Sequence, residues 1–141
     1  MEALGDIHLP HSENDRKEKL AAILDQCRAA NAEAVLASNP ETPPASLLPY
    51  LEETQWFLVL GVHPGMSGQR FQLASLEKIK FIRAHRRDAV IEVDGGMNDK
   101  TARFAREAGA NIIIAANYIF SSENEEKAFQ SLKEIGSLVR E

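Results

Sequence analysis

Trp56-Phe57-Leu58-Val59-Leu60-Gly61-Val62-His63-Pro64-Gly65-Met66-Ser67-Gly68-Gln69 and Ala89-Val90-Ile91-Glu92-Val93-Asp94-Gly95-Gly96-Met97-Asn98 are built on one plan. Each starts as an apolar run rich in β-branched and aromatic residues, which reads as a strand. Each then turns on glycines and runs into an amphipathic helical stretch. Strand, Gly-rich turn, helix is how α/β proteins wrap backbone N–H groups around a phosphate. The second stretch also sets a carboxylate, Asp94, at the last strand position. One ionisable group beside an anion cradle predicts chemistry on a sugar phosphate.

The same rhythm extends in both directions. Upstream, Asp6-Ile7-His8-Leu9 is a short strand candidate stopped by Pro10. Asn14 or Asp15 caps a helix over about 16–30, whose Leu20, Ile23, Leu24 and Cys27 form one stripe. Residues 33–38 read as the next strand, ended by Asn39-Pro40. Thr42 then caps a short helix opened by Pro43 and Pro44 and carrying Leu47, Leu48 and Leu51. The strand at 56–62 precedes a helix at about 73–86, with Leu73, Leu76, Ile79 and Ile82 on one face. Downstream of the strand at 89–93, Asn98 or Asp99 caps a helix that Gly109 closes. Residues 111–115 read as a strand buried on both sides, from the unbroken run Ile112-Ile113-Ile114. A last helix spans about 123–139 with Phe129, Leu132, Ile135 and Val139.

Five strands alternating with helices predict a parallel sheet with covering helices. In 141 residues there is room for one domain with a sizeable core. Two topologies remain, an open doubly wound sheet and an arc of a (β/α)8 barrel. Length favours the first, since a full barrel takes about 250 residues. The glycines favour the second, because they lie late in the chain and on successive strand ends rather than after the first strand.

Composition excludes several classes. A net charge of −5, with acidic and basic residues interspersed, offers no nucleic-acid face. The single cysteine rules out an intrachain disulfide framework and fits a reducing compartment; its place on the helix stripe reads as a buried inert thiol. No apolar run reaches the roughly 20 residues of a membrane span, and the N-terminus has no signal-peptide core. The expectation is a cytoplasmic protein.

Several spaced motifs carry a resemblance. Gly61 to Phe71, then Glu92-Val93-Asp94-Gly95-Gly96-Met97-Asn98, then Ala108-Gly109-Ala110-Asn111-Ile112-Ile113-Ile114-Ala115 closely resemble the last three strand ends of the ribulose-phosphate 3-epimerase family. Ser38-Asn39-Pro40-Glu41-Thr42-Pro43 resembles the family's Asn-Pro-x-Thr-Pro turn, and His11-Ser12-Glu13 its His-x-Glu. The match is collinear from about residue 7 to residue 120.

The resemblance implies a partial TIM-type β/α barrel of about five parallel strands. It implies an isomerase that interconverts D-ribulose 5-phosphate and D-xylulose 5-phosphate by metal-assisted proton transfer at C3. Asp94 matches the family's second catalytic aspartate, both acid/base and ligand to a divalent ion (Zn, Fe, Mn or Co). Gly65, Met66, Ser67, Gly68, Gly95, Gly96, Ala116 and Asn117 match positions near the substrate and its phosphate. The chain departs from the pattern in three places. It begins near the family's fourth strand, so the first three βα units, with a serine, two metal-binding histidines and the partner aspartate, have no counterpart. The family's last-strand Gly-Ser is Ala116-Asn117 here, and a glycine of the strand-six loop is Ser67.

Plainer readings stand beside these. Asp94 also fits an Asx-type turn, and the glycines fit turns that need positive φ. His8 and His11 point to opposite faces of a strand. His63 is a rim residue or a loop brace, and Met66 and Met97 are pocket floor or gap fillers. His85-Arg86-Arg87 complements a helix C-terminus.

An arc of five strands would expose two edges and lack its opposite wall. The isolated chain is therefore expected to be a homo-oligomer, to pair with a complementing chain, or to be a truncated product of a longer gene without independent activity, its ligand being a phosphorylated pentose. Alternative functions are a non-catalytic phosphosugar-binding or assembly module and a hexulose-phosphate synthase relative.

Overall fold

The computed structural model describes residues 13–65 and 69–137. The chain divides into two units, Met1–Ala34 and Val35–Glu141. In the first, α1 spans Glu13–Ala29. It stops at Asn31, whose φ of 53° is one that asparagine tolerates, and Ala32 N donates back to Cys27 O at 2.8 Å. Cys27 is half-buried rather than a core thiol, and Ile23 is exposed. A helical stripe shows which face is apolar, not how fully it is covered. The strand candidate at 6–9, His8, His11 and Ser12 lie outside the described residues.

The second unit carries β1 (Val35–Ser38), a 3-10 helix (Pro44–Tyr50), β2 (Trp56–Leu60), α2 (Ala74–His85), β3 (Val90–Asp94), α3 (Asp99–Ala108), β4 (Ile112–Ile114), α4 (Ala116–Phe120) and α5 (Glu125–Ser137). The four strands pair in parallel, in the order β1-β2-β3-β4. This is the alternation expected, with four strands of the five among the described residues.

Alternate residues of the central strands face opposite ways. Phe57, Val59, Ile91 and Val93 are almost fully buried and pack with Ile79 and Ile82 of α2 and Ala105 and Ala108 of α3. Trp56, Leu58, Leu60, Val90, Glu92 and Asp94 form the other face and are half-buried. On that face Trp56 Nε1 donates to Glu92 Oε2 at 3.2 Å.

Five local expectations need correction. The segment at 44–50 is a 3-10 helix with Pro43 at its N-cap and no side-chain cap, so Thr42 does not cap it. Pro49 within the segment has no N–H to donate to a helical ladder. The buried face of α2 is Ser75, Lys78, Ile79 and Ile82, while Leu73 precedes the helix and is 62% exposed. The stripe turned because Ser75 bonds inward, its Oγ donating to Leu60 O at 2.9 Å. β4 is half-buried throughout, since it forms an edge of the described sheet and gains a neighbour on one side only. In α5 the buried positions are Ala128 and Ile135, and Phe129 is 49% exposed. Finally, α4 occupies 116–120, a stretch with no helical periodicity to announce it.

α3 shows the predicted capping. Asn98 Oδ1 accepts from Lys100 N and Thr101 N, both at 3.0 Å, and Thr101 Oγ1 accepts from Asn98 N at 2.8 Å. This is a reciprocal capping box with Thr in the third position. Gly109 ends the helix at φ +123°. Arg83 of α2 donates from Nε and Nη2 to Gly109 O at 3.1 and 2.8 Å, which ties the end of α3 to its neighbour.

Candidate functional site

At the C-terminal ends of β2, β3 and β4 a cavity of about 600 Å³ opens. In parallel α/β sheets this end collects the loops, and ligands bind there. Asp94 is the last residue of β3 and lies in register between Leu60 and Ile114. It is half-buried and lines the cavity together with His63, Gly65, Gly95, Gly96 and Asn117.

Each neighbour arrives for a local reason. Gly65, Gly95 and Gly96 adopt φ of +112°, +102° and +67°, where side chains are strained. Gly95 and Gly96 are also packed tight. A Cβ at Gly95 would meet Val62 Cγ2 at 2.5 Å, and one at Gly96 would meet Phe71 N at 2.5 Å. The two glycine turns are stitched together, with Gly61 N donating to Asp94 O and Gln72 N to Gly61 O, each at 2.7 Å. Thr101 Oγ1 donates to Gly96 O at 3.0 Å and fixes the second turn to the cap of α3. These glycines supply turns at positive φ and place their backbone on the cavity wall.

Ala116 and Asn117 open α4 at the cavity's far side. Asn117 Oδ1 accepts from Ser121 Oγ at 3.2 Å. Met97 is 5% exposed and belongs both to the cavity wall and to the core. Met66, Ser67 and Gly68 lie outside the described residues.

His63 is a rim residue and a brace at once. Its Nε2 lies 2.8 Å from Glu41 Oε1, and its carbonyl accepts from Gln69 Nε2 at 2.7 Å. Lys78 sits behind Glu41, buried on α2, and its Nζ donates to Asn39 O and Pro40 O. Burial pushes its pKa below the ordinary 10.5, and the Glu41 carboxylate pulls it back up. Reading the sequence did not single out Glu41 or Lys78. Glu41 falls at the variable position of Asn-Pro-x-Thr-Pro, and one lysine on a helix reads as surface. Among the described residues no group of three or more His, Cys, Asp or Glu is arranged to hold a metal ion.

The model of the ribulose-phosphate 3 epimerase family matches residues 2–120. The chain belongs to that family. The ribulose-phosphate 3-epimerase of Chlamydia muridarum is 36% identical over 113 residues, which is 76% of this chain and 50% of that protein. That of Schizosaccharomyces pombe is 34% identical over 116 residues, 82% of this chain and 51% of the relative. The epimerase-family chain thus spans about half the length of the curated relatives it matches.

A crystal structure of 3-hexulose-6-phosphate synthase superposes on this epimerase-family chain with a TM-score of 0.63 at 18% identity. The match covers 84% of this chain and 56% of that one. At that identity the likeness concerns the fold, a parallel α/β arc of the TIM-barrel type. No helix among the described residues is long and apolar enough to cross a membrane.

Proposed function

We propose that this cavity is one side of a phosphopentose site. In it the chain acts as a ribulose-phosphate 3-epimerase-like isomerase on D-ribulose 5-phosphate and D-xylulose 5-phosphate. The observation that carries the reading is Asp94, held at the end of β3 between two interlocked glycine turns in one cavity. Gly65, Gly95 and Gly96 bring backbone to the phosphate and the sugar oxygens, and Met66, Ser67 and Gly68 are assigned to the same substrate from the family resemblance alone. Asn117 replaces a hydroxyl donor with an amide, and Ala116 adds a methyl beside it.

Asp94 takes the role of acid/base. Its carboxylate removes the C3 proton on one face and returns it in the reverse direction, a step that needs hydrogen-bond reach. Returning a proton to the opposite face needs a second acid. Family relatives imply a divalent metal, which would supply Lewis-acid stabilisation of the enediolate oxygens. Asp94 would provide one oxygen ligand to it, and the described residues do not by themselves make a metal shell.

The second acid and the remaining metal ligands are therefore assigned to groups beyond this arc. On this reading residues 1–141 are the barrel from about its fourth βα unit onward. The half-buried sheet face is closed by a second copy, by a chain bringing the other βα units, or by the remainder of a longer gene product. A cytoplasmic location suits such an enzyme.

Coupled turnover of ribulose 5-phosphate, with divalent metal present and at concentrations where the chain is assembled, tests the isomerase. Asp94→Asn should then lower kcat by about 10²- to 10⁴-fold. Absence of turnover with any divalent ion contradicts the isomerase. Binding without turnover would make the chain a phosphosugar-binding module instead.

A further inference from the structure

A loop on the cavity rim is tied to the neighbouring loop after β1 by groups that the proposed chemistry does not use. The loop after β1 presents Glu41, and the end of β2 leads into His63, which lines the cavity. Their side chains meet at 2.8 Å and are each about half exposed. His63 is held a second time through its carbonyl, by Gln69 Nε2. Glu41 is held from behind. Lys78, 1% exposed, donates to the carbonyls of Asn39 and Pro40, the two residues just before it. Thr42 N closes the same turn on Asn39 O at 3.1 Å. A buried cation on α2 thus sets the loop after β1, and that loop sets His63.

We infer that Glu41 and His63 are a positioning pair. They hold the backbone from Val62 to Gly65 in its ligand-ready place at the cavity, with Lys78 as their anchor. The inference rests on the phosphosugar reading and deepens it, by naming residues that tune affinity without touching the reacting carbon. Preorganising backbone in its bound arrangement raises affinity by removing an ordering cost at the moment of binding. Gly65 needs such help, because at φ +112° nothing in its own side chain restrains it. An exposed pair of this kind is worth about two- to fivefold in an equilibrium constant.

The test combines amide hydrogen exchange at His63 and Gly65 with calorimetric titration of ribulose 5-phosphate, using the full chain. Glu41→Gln and His63→Leu should each speed exchange at both amides and weaken binding about two- to fivefold. Joining the two should add little, since both break one contact. His63→Lys, which places an N–H donor facing Glu41, should recover protection and affinity.

Exchange and affinity unchanged in both single variants would overturn the inference. Additive losses with no recovery in His63→Lys would also overturn it, because they mark general destabilisation. If the unaltered chain binds no ribulose 5-phosphate while exchange still responds and recovers, the positioning pair stands and the phosphosugar reading falls. If binding is normal and exchange is indifferent to the substitutions, the pair falls and the reading stands.

Discussion

The two faces of the central strands are made from alternate residues of the same ten, yet they differ in kind. Phe57, Val59, Ile91 and Val93 face α2 and α3 and are no more than 1% exposed. Their neighbours Trp56, Leu58, Leu60, Glu92 and Asp94 face the other way and are half-buried. The first face is completed by this chain's own helices. The second carries the two strand carboxylates, Glu92 and Asp94, and ends at the cavity. The packed core and the cavity-bearing face are thus separated by a period of two residues, which is the geometry of a strand and not of a helix.

The largest expected effect comes from breaking the completed face. Phe57→Ala should cost about 3–5 kcal/mol in chemical denaturation, the usual range for an aromatic removed from a close-packed core. Leu58→Ala, one residue along on the half-buried face, should cost clearly less. Equal losses would mean that both faces are closed in solution, by self-association or by a partner, and sedimentation would then show which.

Next in size is the wall between the faces and the cavity. Gly96→Ala must hold alanine at φ +67° with its Cβ against Phe71 N. About 2 kcal/mol of stability should be lost, from left-handed strain and the displaced backbone together. Thermal unfolding of Gly96→Ala measures this, and a neutral result would show that the turn relaxes freely.

The smallest effect is electrostatic. Lys78 has a depressed pKa in the folded chain, so the unfolded chain binds more protons between that depressed value and 10.5. Stability should therefore rise with pH across that window, be fully gained above 10.5, and be lost as pH falls through the folded value. The slope should disappear in Lys78→Met, as urea midpoints at several alkaline pH values would show.

Much of this arrangement is legible in the residues. Alternating strands and helices, the Asn98 cap, the Gly109 stop and the convergence of Asp94 with both glycine turns follow from local rules. The cap and the stop depend on neighbours within a few positions, and the convergence at Asp94 follows from parallel pairing of successive strands. What escapes reading depends on partners far along the chain. Lys78 looks like any surface lysine until Asn39 and Pro40 are brought to it from 39 and 38 positions away. Leu73 completes an apolar stripe in sequence, but the helix starts one residue later and Ser75 takes the inward place by bonding Leu60 O. β4 reads as doubly buried from Ile112-Ile113-Ile114, yet burial at an edge is decided by what lies beside it. His63 left two readings open, and the Glu41 contact supports the loop brace.

The central claim is that the cavity over β2, β3 and β4 binds a phosphopentose through Asp94 and the glycine turns. Titrating the isotope-labelled chain with ribulose 5-phosphate while recording backbone amide shifts tests it most directly. The predicted result is saturable movement confined to residues 61–65, 94–98 and 115–118, with none at the opposite strand ends near Gln55 and Asp88. Shifts absent at millimolar ligand, or centred away from Asp94, would contradict the account.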